Sequence, residues 1–270
     1  MAQSLFDHDA ANYDRARPQY PAELFAELVD YIGPRTGGVY AIEVGPGTGQ
    51  ATASLLTKGM RVTAVELGKS LATFLAQKFA AEPRLKVVQG AFEEVPLEAG
   101  SADLVVAATA WHWIDPVTRT ERAHTLLRPN GVLAVIDTVQ VRDPVDRGFF
   151  DRTFPIYRRY RPDERDDDGR DAETYEPPAY DEMRESPYFT DVRLWRRRWN
   201  QRYDADSYEA LLRSYSDTAR MDRAAREGLI HDLIEVVKAE PDGMLTRPLA
   251  MTLVAGRNDT RDTKFATSAG

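Results

Sequence analysis

The chain has 270 residues, 43% of them hydrophobic, with a formal net charge of −8 and no cysteine. That length builds one large domain, or a domain carrying a substantial insertion, around a sizeable core. The charge argues against a general nucleic-acid surface, and the lack of cysteine excludes disulfides, thiolate metal sites and cysteine nucleophiles, in keeping with a cytoplasmic protein.

The opening stretch, "MAQSLFDHDAANYDRARPQY", has no long apolar region and is not a secretory signal. No segment approaches the roughly 20 apolar residues of a membrane span. His8, His112, His124 and His231 are too scattered to pair as metal ligands, so no metal is expected. "PAELFAELVDYI" has apolar residues at helical spacing, with Pro21 suited to a first turn, and "GPRTGG" breaks it. "VYAIEVG" predicts a buried strand. "TGQATASLLTKG" predicts a helix ending at Gly59. "RVTAVEL" predicts the second strand, and "SLATFLAQKFAAE" a helix stopped before Pro83. "RLKVVQG" and "ADLVVAATA" predict strands three and four. "DPVTRTERAHTLLRPNG" predicts a helix capped by Asp115 with Pro116 at its first position, and "VLAVIDTVQ" the fifth strand.

The pattern changes after Val141. "VDRGFFDRTFPIYRRY" predicts a helix interrupted near Pro155, and "RPDERDDDGRDAE" an exposed, mobile link. "DVRLWRRRWNQRY" returns to strand character, "DADSYEALLRSYSD" and "DRAAREGLIHDLIEVVKAE" predict helices, and "MLTRPLAMTLVAGR" a last strand. Continuous apolar strands separated by helices imply a parallel sheet covered on both faces and, with right-handed crossovers, a doubly wound α/β fold. Its ligands bind at the carboxyl ends of the strands near the switch point, where the glycine turn after the first strand lies.

That turn, "AIEVGPGTGQAT", leaves the main chain open to close approach by a ligand. A dinucleotide site usually has G-x-G-x-x-G spacing. Counted from Gly45, the third glycine would fall on Gln50, whereas the chain has Gly49. Glu43, inside the first strand, would repel a pyrophosphate. Glu66 ends the second strand about 20 residues beyond the first glycine, where an acid accepts both ribose hydroxyls. Together they favour a nucleoside with a positively charged, non-phosphate extension, as in S-adenosylmethionine.

Residues 39 to 139 resemble a class I S-adenosylmethionine-dependent methyltransferase. The likeness is carried by "EVGPGTGQAT", "VELGKS", "VVQGAFEEVPLEAGSADLVVAATAWHWID" and "LLRPNGVLAVID", in order and at spacing. "FDHDAANYDRARPQYPAEL", "WHWID" and "YDADSYEALLRSYSD" resemble the type 11-like subgroup related to trans-aconitate and other small-molecule methyltransferases. The resemblance implies a Rossmann-like, mostly parallel seven-stranded sheet with helices on both faces and a helical insertion or cap after the fifth strand. With the residue patterns, the expected division is an N-terminal helical cap segment (1–38), a cofactor-binding core (39–139), a variable insertion outside the resembling segments serving as substrate cap (140–190), C-terminal strands and helices completing the core (191–256), and a disordered tail (257–270).

By the same resemblance Gly45, Gly47 and Gly49 line the methionine portion of S-adenosylmethionine, Glu43 orients the glycine loop or the ammonium, Glu66 binds the ribose and Leu67 packs on adenine. "GAFEE" is the adenine-edge segment. The family often has Asp where this chain has Ala91, so Phe92 is expected to supply an amide and an aromatic wall and Glu93 to take the amino group. Tyr13 and Arg17 fold over the cofactor, where Arg17 pairs with its carboxylate. Tyr20 approaches cofactor or substrate, and Thr109 the cofactor's amino end. Trp111 forms a substrate wall. His112 is the candidate general base, against the competing reading of a loop hydrogen bond.

Arg152, Arg158, Arg159 and Arg161 form either an anion-attracting lid or a solvated face paired with acids. Trp195 and Trp199, with three arginines between, suit sheet packing better than nucleic-acid stacking. The expected reaction is methyl transfer to a small molecule, at a carboxylate or hydroxyl oxygen, without nucleic-acid or membrane partners. The alternatives are carbon methylation, a nicotinamide oxidoreductase or a non-catalytic cofactor-binding protein.

Overall fold

The computed structural model describes residues 20–142, 148–162 and 170–259. Helix α1 (Ala22–Ile32) buries Leu24, Phe25, Leu28, Tyr31 and Ile32. That spacing keeps one apolar stripe on one face. Gly33, at φ 75°, ends it. Then follow β1 (Tyr40–Val44), α2 (Gln50–Thr57), β2 (Arg61–Glu66), α3 (Lys69–Lys78), β3 (Leu85–Gln89) and β4 (Ala102–Ala108). A short 3-10 turn (Trp111–Trp113) leads to α4 (Arg119–Leu126) and β5 (Leu127–Gln140). Beyond these lie α5 (Gly148–Tyr160), α6 (Pro178–Glu185), β6 (Phe189–Tyr203), α7 (Ala205–Arg213), α8 (Ser216–Arg220), α9 (Arg223–Lys238) and β7 (Leu245–Asn258).

The seven strands are ordered β3-β2-β1-β4-β5-β7-β6. β1 pairs in parallel with β2 and β4, β2 with β3, and β4 with β5. β1, β4 and most of β5 are buried along their length, which is why they read as mostly apolar runs rather than alternating ones, with only Glu43 and Asp103 as buried acids in β1 and β4. The chain winds outward from β1 to β3 and then crosses back to β4. The switch point therefore falls between β1 and β4, and ligands of doubly wound sheets bind at the carboxyl ends of such strands.

Two expectations need correction. Helix α4 starts at Arg119, not at Asp115. Asp115 instead caps its own turn, accepting from the Val117 amide at 3.0 Å, and the strand resumes at Leu127 before Pro129. The backbone is already extended at Leu127, φ −76° and ψ 137°, one residue ahead of Arg128, which Pro129 disfavours in the helical region. Helix α5 runs unbroken through Pro155. An internal proline costs about 3 kcal/mol, but Phe149, Phe150, Ile156, Tyr157 and Tyr160 all pack into one apolar cluster. Fully burying a single such side chain contributes about 1.5–3 kcal/mol, enough to offset the lost bond and keep the helix continuous.

The described residues form two compact units. One contains Tyr20–Asp137, Glu176–Trp195 and residues 252–259. Its core gathers Ile42, Val44, Val65, Val105, Leu133 and Val135 from the central strands. The other contains Thr138–Tyr175 and Arg196–Met251, and centres on Phe149, Tyr208, Leu211, Leu229, Leu233 and Leu245. Strands β5, β6 and β7 contribute residues to both. Most of the link predicted around residues 161–173 lies outside the described residues, as does nearly all of the predicted tail.

Candidate functional site

The site is built on the glycine turn that leaves β1. Gly45, Gly47 and Gly49 have φ of 63°, 57° and 91°, a region that side chains with a Cβ rarely adopt. The Gly45 amide donates to the Val65 carbonyl at 2.9 Å. A Cβ on Gly45 would stand 2.6 Å from the Ala110 Cβ, and one on Gly49 2.6 Å from Leu75 Cδ1. Gly45 and Gly47 are partly open to solvent, whereas Gly49 is buried beneath α3. Lys78, the last residue of α3, donates to the Thr48 carbonyl at 3.0 Å and ties the turn down from that side.

Two carboxyl groups flank the turn. Glu66 is buried at the end of β2. Its Oε2 accepts from the Gly47 amide at 3.0 Å and its Oε1 from the Gly68 amide at 2.8 Å. A carboxylate accepts up to about four hydrogen bonds, so holding the turn and accepting from ligand hydroxyls are compatible. Glu43 is 1% exposed. Thr52 Oγ1 donates to its Oε2 at 2.6 Å, while Oε1 is buried without a hydrogen-bond partner among the described residues. Burial pushes its carboxyl up to about 7, against the Thr52 hydrogen bond and helped by the charge of Glu66. A half-satisfied carboxyl below an open glycine turn is short of one donor.

The neighbouring strand ends complete the rim. Leu67 is 45% exposed, an apolar side chain left in solvent beside Glu66. Ala91 and Glu93 are partly exposed, and Glu93 Oε1 accepts from the Asp115 amide at 3.1 Å. The Phe92 ring lies in the apolar core, and its carbonyl accepts from Arg122 Nε at 3.3 Å. Thr109, at φ 56°, donates its amide to the Ile136 carbonyl at 2.7 Å, and its hydroxyl lies 3.1 Å from the Tyr20 hydroxyl. Tyr13 and Arg17 lie outside the described residues.

The turn after β4 is clamped from below. Trp111 is buried, and its indole N–H donates to Glu182 Oε2 at 3.0 Å. Arg119 holds the same carboxylate with two bonds of 2.7 Å and donates to the Trp111 carbonyl at 2.7 Å. Its guanidinium also sits 5.2 Å from the Trp111 ring centre. His112, next in the chain, is exposed, with its ring 4.9 Å from that of Trp113. Asp137, near the carboxyl end of β5, is held above its ordinary range by burial, against the opposing charges of His112 and Arg119.

Sequence reasoning missed Asp137, Arg119, Glu182 and Lys78. Asp137 carried a readable signal, since "VLAVID" closes an apolar run on an acid just as "VTAVE" does. The other three act across the fold and leave no local pattern. Of the four lid candidates, Arg152 pairs with Glu240 at 3.0 Å, Arg159 with Asp232 at 2.7 Å and Arg161 with Asp217 at 2.6 Å. Arg158 sits 4.9 Å over the Phe154 ring. Trp195 packs edge-on to Tyr31 with ring centres 5.5 Å apart. Among the described residues no helix is long and apolar enough to cross a membrane, and no cluster of His, Asp and Glu could hold a metal ion.

Residues 42–135 match the family model described as a methyltransferase domain. An uncharacterized methyltransferase of Mycobacterium tuberculosis is 35% identical over 124 residues, 46% of this chain and 48% of that protein. The chain thus spans about half the length of the curated relatives it first matches. An uncharacterized methyltransferase-like protein of Schizosaccharomyces pombe is 25% identical over 243 residues, 87% of each. A solved structure from Anaeromyxobacter dehalogenans, described as a Type II methyltransferase, shares the fold at a TM-score of 0.61, with 20% identity, covering 90% of this chain and 97% of that one.

Proposed function

We infer that this chain, whose residues 42–135 match the methyltransferase-domain family, is a class I S-adenosylmethionine-dependent methyltransferase that transfers the cofactor's methyl group to a small molecule, at a carboxylate or hydroxyl oxygen. The observation that carries this reading is the buried Glu66 carboxylate bonded to the amides of both Gly47 and Gly68 beside the open turn. It sets an acceptor for ribose hydroxyls next to a glycine surface that a ligand can approach closely. The residues present fit the cofactor on two further counts. Glu43 Oε1 is a buried acceptor short of a donor, which an ammonium supplies. Leu67 is an exposed apolar side chain, which adenine covers.

In this reading Glu66 takes the ribose, Gly45 and Gly47 face the methionine portion, and Gly49 holds the turn against α3. Glu43 receives the ammonium directly or through the glycine loop. Ala91, the Phe92 backbone and Glu93 border the adenine edge. Thr109, braced by Tyr20, faces the cofactor's amino end. Tyr13 and Arg17 join the site on the sequence resemblance alone. When bound, the cofactor supplies an electrophilic, sulfonium-activated methyl group. The protein has to place an acceptor oxygen in line and exclude water. A carboxylate acceptor arrives without its proton and needs no base. A hydroxyl acceptor gives its proton to the exposed His112 imidazole, and Asp137 favours the charged ring that results. Trp111, expected as a substrate wall, is buried and bonded to Glu182, so in this reading it acts on the acceptor by positioning His112 instead.

Calorimetry with S-adenosylmethionine, S-adenosylhomocysteine and NAD tests the cofactor, and mass spectrometry of a carboxylate and phenol panel tests the transfer. Tight binding of the first two and a 14-dalton gain on an acceptor oxygen are expected. Binding of NAD alone would overturn the reading.

A further inference from the structure

The second unit contains a cavity of about 450 Å³ that none of the roles above uses. Its size falls within the range of small-molecule sites, about 300–1,000 Å³. Helix α5 supplies aromatic walls from Phe150, Phe154 and Tyr157, and β7 supplies Arg247. Three arginines, Arg158, Arg161 and Arg247, line it against one carboxylate, Asp217. That carboxylate already holds Arg161 at 2.6 Å. A positive cavity in a chain of net charge −8 is a local reversal with a structural cause.

Arg247 is the group that asks for a ligand. Gln140 Oε1 accepts from its Nε at 3.3 Å and its Nη2 at 2.9 Å, and Nη1 donates to the Tyr215 hydroxyl. These contacts fix the plane of the guanidinium but supply no negative charge. Tyr157 cannot supply one either, because burial pushes its phenol up to about 12 and keeps it protonated at neutral pH. A guanidinium has five N–H donors, so three fixed bonds leave donors for a ligand. A charge held rigid by neutral partners beside aromatic walls is preorganised for an organic anion.

We propose that this cavity binds a small carboxylate with an aromatic or other flat apolar body, its carboxylate on Arg247 and its body against Phe150, Phe154 and Tyr157. The apolar walls favour cinnamate over acetate, and the fixed guanidinium favours cinnamate over cinnamamide. The proposal is independent of the methyl-transfer reading, since it needs neither cofactor nor turnover.

The test is calorimetry on the full chain, without cofactor, using cinnamate, cinnamamide, acetate and inorganic phosphate. Cinnamate should bind at least tenfold more tightly than each of the other three. Arg247→Gln should erase that preference. Phe150→Trp, which fills space and leaves every charge in place, should weaken cinnamate at least tenfold while thermal unfolding stays close to that of the parent. Should Arg247→Gln fail to fold, the Phe150→Trp result decides. No binding of cinnamate, equal binding of acid and amide, tighter binding of phosphate, or unchanged affinity in a folded variant would each overturn the proposal.

Discussion

The Glu66 carboxylate and the Gly47 amide meet at 3.0 Å, and the same carboxylate takes the Gly68 amide at 2.8 Å. One side chain thus joins the end of β2 to the glycine turn of β1 and sets the shape of the rim. Each hydrogen bond to a charged group contributes about 1.5–3 kcal/mol. Glu66→Ala should lower stability by about 3–6 kcal/mol on that scale and weaken S-adenosylhomocysteine binding more than tenfold. Glu66→Gln has one acceptor oxygen for two amides and should fall between. Calorimetry at a temperature where both variants remain folded separates the effects, and parent-like affinity in Glu66→Ala would remove Glu66 from the site.

Strands β1, β2, β4 and β5 were legible because a buried strand is mostly apolar, even with Glu43 and Asp103 buried inside it, while β3, only partly buried, showed as a short apolar run between Pro83 and Gly90. The glycine turn was legible for a related reason. Gly45 and Gly49 stand where a Cβ would collide with Ala110 or Leu75, so alternating glycine leaves a visible mark. The clamp on Trp111 left none, since Glu182 lies 71 residues away and nothing local distinguishes it from a surface acid. Arg247 was equally silent. In "LTRPLAM" it looks like an outward polar residue on a strand, and only the fold turns it toward aromatic rings. Pro155 misled because proline reports the lost backbone bond but not the apolar packing that offsets it.

His112 separates acceptor classes. A positioned base accelerates proton removal by about 10²–10⁴-fold, but only when there is a proton to remove. His112→Ala should reduce methyl transfer to a phenol by at least 100-fold and leave transfer to a carboxylate within about threefold. Equal losses on both acceptors would make His112 a loop residue rather than a base.

Glu182 holds Arg119 through two 2.7 Å bonds and Trp111 through one of 3.0 Å. Glu182→Gln keeps the size but loses the charge and one acceptor. The turn that carries His112 should loosen while Glu66 and its bonds to the Gly47 and Gly68 amides, which Glu182 does not touch, stay in place. The expected signature is a fall in kcat of about tenfold, on the scale of a misplaced reacting group, with cofactor affinity unchanged and tryptophan fluorescence shifted toward the solvated value. A parallel loss of cofactor binding would show that the clamp supports the whole rim.

Glu43 ties stability to pH. Its carboxyl titrates near 7 in the folded chain and near 4.5 when exposed. Between those values the folded state binds the extra proton, so stability falls as pH rises from about 4.5 through 7 and levels off above it. The gap corresponds to about 3 kcal/mol at full extent. Glu43→Gln is permanently neutral and should flatten that part of the profile, becoming the more stable form above pH 8. A cofactor ammonium beside Glu43 favours the charged carboxylate, so binding near pH 7 should release a proton. Calorimetry in buffers of different ionisation enthalpy reads that release directly, and it should vanish in Glu43→Gln. A release that survives the substitution would assign the proton to another group and leave Glu43 with the glycine turn alone.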